Sequence, residues 1–513
     1  MINLFSSWKQ DLPAGLVVFL VALPLCLGIG LASTALEPRL FSGIIAGVVG
    51  GIIVSIFSGS RIGVSGPAAG LITIVAAAIG TLGGFEYFLT AVVISGVIQL
   101  ISGILGAGVI GNYFPSSVIK GMLAAIGITL ILKEIPHAFG YDADFIGDEA
   151  FFQMDGQNTF SEIVNALSKT SPGAILIFSL SLLILILFET KSFKKIALFQ
   201  FLPSALFVVL TGIIVNSLYP YFMIDWVLDS KHLVNLPKAE NMQDFIGFFT
   251  LPNFSVLSNP NVYVVGLTLA LVASLETLLS VEATDKLDTE KRTTPTNREL
   301  KAQGIGNIIS GLIGGLPITQ VIVRSSANVN AGGKNKLSAI FHGILLLSTV
   351  AFIPSFLNKI PLASLAAILI MVGYKLAKID LLRKMYGLGW DQFVPFLSTI
   401  IAVLFSDLLI GIGVGMVVSI YFILRRNYKN NYVLKTDENE ICIQLSEEVT
   451  YLNKGSIKEE LNNIKNNSKL YIDGSKCHEI DFDVLELIQE FIEYKAKVKN
   501  IEVKTINVPK IKS

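Results

Sequence analysis

Ser65-Gly66-Pro67-Ala68-Ala69-Gly70 and Gln320-Val321-Ile322-Val323-Arg324-Ser325-Ser326 each interrupt an apolar region with small, helix-breaking or ionisable residues. Glycine permits close backbone approach, Pro67 suits a first helical turn, and interrupted helices are tolerated where protein covers their backbone. Both stretches therefore predict a short helix beginning at membrane depth. The chain around them is built for such a setting. Of its 513 residues 52% are hydrophobic and only 15% charged, with a mean hydropathy of +0.65, which excludes a set of ordinary soluble domains.

The 39 basic and 39 acidic residues cancel, so whole-chain charge predicts no nucleic-acid partner. Their placement is more informative. Residues 431–513 hold 27 of the charges, leaving 78 − 27 = 51 for the first 430. This predicts a transmembrane domain over 1–430 and a charged cytoplasmic domain over 431–513. Cys26, Cys442 and Cys477 have neither disulfide-framework nor metal-ligand spacing. The run from Leu12 to Thr34 exceeds a secretory signal's apolar core and reads as the first span.

A hydrocarbon core of about 30 Å takes about 20 apolar residues as helix. Clear stretches lie near 12–33, 41–58, 86–108, 115–132, 172–188, 202–218, 261–281, 337–353, 360–377, 391–406 and 408–424. Shorter or broken ones near 67–80, 301–315 and 321–331 bring the expected total to about 14 spans. An even count puts both termini on one side. Lys191, Lys194, Lys195, Lys286, Lys291, Arg292, Arg298, Arg383, Lys384, Arg425, Arg426 and Lys429 all follow even-numbered spans. Asp142, Asp144, Asp148, Glu149, Asp155, Asp225 and Asp229 follow odd ones. The positive-inside bias predicts both termini in the cytoplasm of a multi-pass protein of the cell's inner (plasma) membrane.

The two opening stretches occupy matching places in a weak internal repeat. Ala22-Leu23-Pro24 resembles Ser274-Leu275-Glu276, Gly66-Pro67 resembles Leu316-Pro317, and Pro115 resembles Pro361. Seven spans per half is odd, so the repeats, about 1–218 and 255–430, must be inverted across the membrane. Two short helices from inverted halves would point their N-termini at one gap, where unpaired N–H groups and about half a positive charge each attract an anion. Ser65, Gly66, Ala68, Ala69, Gly70, Val323, Arg324 and Ser325 are the candidate anion ligands, with Ser326 as a further hydroxyl. Close helix packing by small residues is the competing reading.

Ionisable side chains at membrane depth are costly and mark pathways or pairs. Arg324 either adds fixed positive charge beside the anion or snorkels; Glu276 carries a proton, binds a coupling cation such as sodium, or pairs with Arg324. Ser280, one turn from Glu276, shares its face and completes the possible sodium site. His342 reads as a satisfied packing histidine, and Gly411-x-Gly413-x-Gly415 as helix packing. No cofactor or catalytic motif is present, which predicts that the chain is not an enzyme. After Tyr428, strands at 440–445, 469–473 and 501–504 alternate with helices at 456–464 and 483–494, predicting a small α/β domain.

Ser274, Ser280-Val281-Glu282-Ala283, Asn297-Arg298-Glu299-Leu300, Gly304-Ile305-Gly306-Asn307 and Gly332-Gly333-Lys334 carry a resemblance to the SulP anion transporters, also called solute carrier family 26. The resemblance implies an α-helical polytopic fold of 7+7 inverted repeats with core and gate domains, followed by a cytoplasmic STAS-like domain. It further implies an anion held between the third and tenth helices, elevator-like movement of the core, and a homodimer in membrane lipid. Glu276 and Ser280 match positions linked to sodium or proton coupling in bacterial relatives, and Arg324 matches an arginine beside the anion site in animal ones. Leu25 and Ile29 depart from many sulfate-transporting members, Ala68 replaces bulkier residues seen elsewhere in the family, and glutamate at 276 replaces a sodium-coupled relative's aspartate. The tail is short for a STAS domain, and Ile480-Asp481-Phe482-Asp483 lacks the phosphorylated serine, leaving a cytoplasmic regulator as its expected partner.

The expected function is secondary transport of a small inorganic anion, sulfate or bicarbonate foremost, coupled to sodium or protons or exchanged for another anion. An anion channel and a proton-coupled dicarboxylate carrier are the alternatives.

Overall fold

The structure, a computed structural model, describes residues 6–34, 39–143, 151, 156–190, 203–236, 238, 241–429, 432–437 and 440–509. Lys191, Lys194, Lys195, Asp144, Asp148, Glu149 and Asp155, used above for orientation, lie outside these. Contacts divide the chain into two compact units, Met1–Met416 and Val417–Ser513.

Among the described residues a helix falls on each of the apolar segments. They are α1 (Trp8–Ser33), α2 (Leu40–Val49, continuing through a π turn at Gly50–Val54 to Phe57), α3 (Ile72–Leu82), α4 (Phe85–Ile104), α5 (Ser116–Phe139), α6 (Pro172–Glu189) and α7 (Ser204–Phe222). The second series comprises α8 (Pro260–Leu287), α9 (Thr296–Leu312), α10 (Ile322–Asn330), α11 (Leu337–Phe352), α12 (Leu362–Leu376), α13 (Trp390–Phe405) and α14 (Leu408–Lys429). Seven described helices are long and apolar enough to cross a membrane, and four shorter ones are apolar. The remaining α5, α9 and α10 explain why composition alone undercounts. Lys133, Glu134 and His137 end α5, Glu299, Gln303 and Asn307 line α9, and α10 has only nine residues.

Lipid supplies no hydrophobic force between apolar helices, so close packing must hold them. The α4–α9 contact is the densest example. A β-carbon on Gly96 would sit 2.7 Å from the Gly304 carbonyl oxygen, and one on Gly304 2.7 Å from that of Gly96, so only paired glycines allow this approach. Phe19, Leu23, Ile44, Leu71, Phe88 and Ile119 are fully or nearly fully buried in the apolar core that surrounds these helices.

The expectation that Gly66-Pro67 opens a short helix is corrected. Ser65–Pro67 forms a strand, β1, paired antiparallel with β2 (Ile318–Gln320) in the register Ser65↔Gln320, Gly66↔Thr319, Pro67↔Ile318. Proline carries no N–H and fits a two-strand ribbon as readily as a helix start. Helical structure begins only at Ala69, with one 3₁₀ turn before α3, and at Ile322 in the second half.

Near one end of α5, Asp142 accepts hydrogen bonds from His137 Nδ1 and His232 Nδ1, both at 2.5 Å. The segment after His232 is held in turn, Val234 N–H donating to Ile360 O and Leu236 N–H to Asn358 Oδ1. In the second unit β3 (Tyr432–Asp437), β4 (Glu440–Leu445), β6 (Lys469–Asp473) and β8 (Glu502–Ile506) form one sheet in the order β3-β4-β6-β8, the last two pairings parallel. A short β5 (Glu448–Val449) pairs with β7 (Glu479–Ile480). Helices α15 (Lys454–Asn463) and α16 (Phe482–Glu490) supply Ile457, Leu461, Val484 and Ile488 to a core with Ile443, Leu470 and Ile472.

Two imidazoles beside Asp142 hold its carboxyl below the ordinary carboxylate value despite burial. A depressed folded pKa contributes stability above the unfolded value, about 3.9, that is lost as pH falls toward the folded one. Asp142→Asn should therefore lower the thermal midpoint at pH 7, by an amount equivalent to roughly 3 kcal/mol for a broken buried pair. The gap between variant and wild-type melting curves should narrow below about pH 4.

Candidate functional site

Backbone that leaves helical geometry at membrane depth must find partners within the protein, because an unsatisfied N–H or C=O there costs several kcal/mol. The two breaks satisfy each other. Besides the ribbon ladder, Val321 N–H donates to Val64 O at 2.9 Å, and Val64 N–H donates to Ser325 Oγ at 3.0 Å. Asn307 of α9 mimics a third strand. Its Oδ1 accepts from Ile318 N–H at 2.6 Å, and its Nδ2 donates to Ile318 O and to Gln99 Oε1. Gln303, one turn earlier, donates to Ser65 Oγ at 2.8 Å and to Glu299 Oε1. Glu299 accepts in turn from Ser58 Oγ and Gly59 N–H.

Neither helix start is closed by a side-chain cap. Ala68 and Val321 take the N-cap positions of α3's leading turn and of α10 in extended conformation, with no cap hydrogen bond. The leading N–H groups are therefore available to a ligand. Antiparallel pairing makes the two chains leave the ribbon at opposite ends, so Ala68-Ala69-Gly70 and Val323-Arg324-Ser325 flank it. All of Ser65, Gly66, Ala68, Val323, Arg324 and Ser325 are buried, and Ala69 and Gly70 are half-buried.

Two charged side chains converge on these breaks. A β-carbon on Gly70 would lie 3.4 Å from both carboxylate oxygens of Glu276, which places that buried carboxylate against the first turn leading into α3. Ser280, also buried, follows one turn later on α8. Arg324 passes behind Gly66: its Nη2 donates to Pro67 O at 3.4 Å, and a β-carbon on Gly66 would overlap Nη1. Only glycine at 66 leaves room for the guanidinium. Cys26 of α1 and Gly47 of α2 line the same space.

Among the described residues Arg324 makes no ion pair, and its Nε and Nη1 have no hydrogen-bond partner. The static Glu276–Arg324 pair weighed from the sequence is thus not formed. Ser325 and Ser326 direct their hydroxyl hydrogens to Val321 O and Val323 O, inside their own helix. His342 is fully buried as a packing residue, yet neither ring nitrogen is hydrogen-bonded. Gln303 and Gln99 escaped the sequence reading, and Glu299 and Asn307 entered it only within the stretches that carry the family resemblance, not as site residues. A signal was present, since 299, 303 and 307 are spaced by four and fall on one face of the helix.

Asn307→Ala strips both partners from the Ile318 backbone. A loss of stability of about 1–3 kcal/mol per orphaned group is expected, read as a lower thermal midpoint. Gly66→Ala should leave the fold assembled but displace Arg324, so anion-dependent thermal stabilisation should fall while the melt stays cooperative.

Comparison with known proteins gives one consistent result. The model described as the sulfate permease family matches residues 8–420. The chain is 28% identical to YvdB of Bacillus subtilis over 423 residues, covering 82% of this chain and 74% of that one. It is 25% identical to the bicarbonate transporter BicA of Picosynechococcus sp. over 423 residues, covering 81% and 70%. The solved structure of the murine solute carrier 26 family member A9 anion transporter, in its inward-facing state, shares the fold. Its TM-score is 0.66 at 14% identity, over 98% of this chain and 85% of that one.

Proposed function

Because this chain belongs to the sulfate permease family, whose members are membrane transporters and not enzymes, we propose that it is a secondary transporter of a small inorganic anion, sulfate or bicarbonate foremost. The anion is held by the N–H groups of Ala68, Ala69 and Gly70 on one side and of Val323 and Arg324 on the other, beside Ser65, Gly66 and Ser325. The observation carrying this reading is that one carboxylate and one guanidinium, both buried, meet the two uncapped helix starts. The Arg324 guanidinium makes the gap electropositive.

Coupling follows from the same electrostatics. An ionised Glu276 against Gly70 occupies the helix end that would attract the anion, and two negative charges there repel each other. A proton or a sodium ion at Glu276 and Ser280 removes that repulsion, so cation and anion bind best together. This reading favours symport over free exchange and over an open channel.

The antiparallel ribbon supports inverted repeats over about 1–218 and 255–430, with elevator-like movement of the site-bearing core against the gate carrying the anion across. The described mixed sheet with its two helices supports a STAS-like cytoplasmic domain over 431–513. Residence in the inner membrane as a homodimer, with both termini cytoplasmic, completes the proposal.

Uptake of labelled sulfate and bicarbonate into proteoliposomes, with sodium and pH gradients imposed separately, tests it. Saturable uptake driven by one gradient is expected. Glu276→Gln, which fixes a neutral side chain, should abolish gradient-driven uptake at unchanged thermal stability. Equal gradient dependence in that variant would remove Glu276 from coupling.

A further inference from the structure

A second charged feature lies one helix length from this site. Helix α10 starts at the anion gap and is nine residues long, about 13 Å. Ala327 and Asn330 of its last turn, with Ala331 just after it, form one wall of a cavity of about 280 Å³. Pro13 and Val17 of α1 adjoin them, while α6, α7 and α12 form the facing wall. At ~30 Å³ per water, the volume suits a small anion with part of its hydration shell. The cavity is thus bounded on one side by helices that hold the anion gap and on the other by helices that do not.

Among the described residues two charged ones line it, both from the facing wall. Lys375 Nζ of α12 and Glu189 Oε1 of α6 are 2.5 Å apart, with side chains 24% and 45% exposed. The positive-inside bias puts the ends of the sixth, tenth and twelfth segments on the cytoplasmic side, so the cavity lies where an anion would leave or enter from the cytoplasm.

An anion moving along α10 travels from the positive to the negative end of the helix dipole, and therefore needs a compensating cation at the far end. Lys375 stands there. Its ammonium is a compact charge on a flexible stem, and a part-exposed ion pair contributes about 0–1 kcal/mol, so a mobile anion can displace the carboxylate. The bland alternative is a lysine that anchors its helix end at the interface. Its position inside the cavity, facing a carboxylate from another helix, distinguishes it from such an anchor.

The geometry points to Lys375 as a second anion subsite at the cytoplasmic mouth, with Glu189 as the built-in competitor that covers it when no anion is present. This subsite rests on the transport reading above. Glu189 prevents Lys375 from trapping the anion on its way out.

Membrane vesicles of opposite sidedness, prepared from cells expressing the full chain, separate the two faces, with labelled sulfate and bicarbonate as probes. Lys375→Gln should raise the apparent KM for flux from the cytoplasmic face about fivefold and leave the KM at the opposite face unchanged. The difference should shrink at high ionic strength, and Lys375→Arg should restore the wild-type KM. Glu189→Gln should shift the same KM downward, a change of sign that a merely structural pair would not produce. Equal KM values for wild type and Lys375→Gln at the cytoplasmic face, or equal shifts at both faces, overturn the subsite while wild-type transport stands. Wild-type vesicles that move neither probe overturn the transport reading and the subsite with it.

Discussion

The pairing of Ser65–Pro67 with Ile318–Gln320 is the constraint on which the rest of the membrane unit depends. A helix can start in the middle of a bilayer only if the backbone leading into it is satisfied, and lipid offers nothing. Here each break serves as the other's partner. Residues some 250 positions apart in sequence must therefore meet before either short helix is stable. Asn307, Gln303 and Ser325 extend the pairing on its edges, and all three are buried.

The ribbon has an electrostatic consequence. Its ladder occupies the backbone of the strands and leaves the first N–H groups of the following helices without side-chain caps. Arg324 and Glu276 then differ in how they are held. The guanidinium is locked in space that Gly66 and Gly47 leave open, whereas the carboxylate lies against Gly70, where a ligand would also sit. On the proposed function, this fixed cation and the adjacent carboxylate are the pair that would join an anion to a coupling ion.

Much of this was legible in the sequence. Glycine, proline and isolated charges mark where apolar periodicity fails, so the two breaks, Glu276 and Arg324 stand out without a structure. The strand character of Ser65-Gly66-Pro67 did not, because three residues carry no alternation to read and proline suits a helix start equally. The destination of Arg324 was also hidden. A side chain that reaches behind a glycine of the opposite half leaves no local trace, and the same holds for Asn307 bonding Ile318. In the second unit the strands Glu440–Leu445 and Lys469–Asp473 were visible as apolar runs. Tyr432–Asp437 was missed, since an edge strand with Lys435 and Asp437 looks like a polar linker.

The central claim is that an anion sits between two helix starts that the ribbon holds apart. A density map of the full chain in lipid, recorded with a transported anion present and again without it, tests this most directly. The account predicts added density within hydrogen-bonding distance of the backbone N–H groups of Ala69-Gly70 and of Val323-Arg324, on the face of the ribbon where Glu276 meets Gly70. Anion density elsewhere, with that gap unchanged between the two maps, would contradict it.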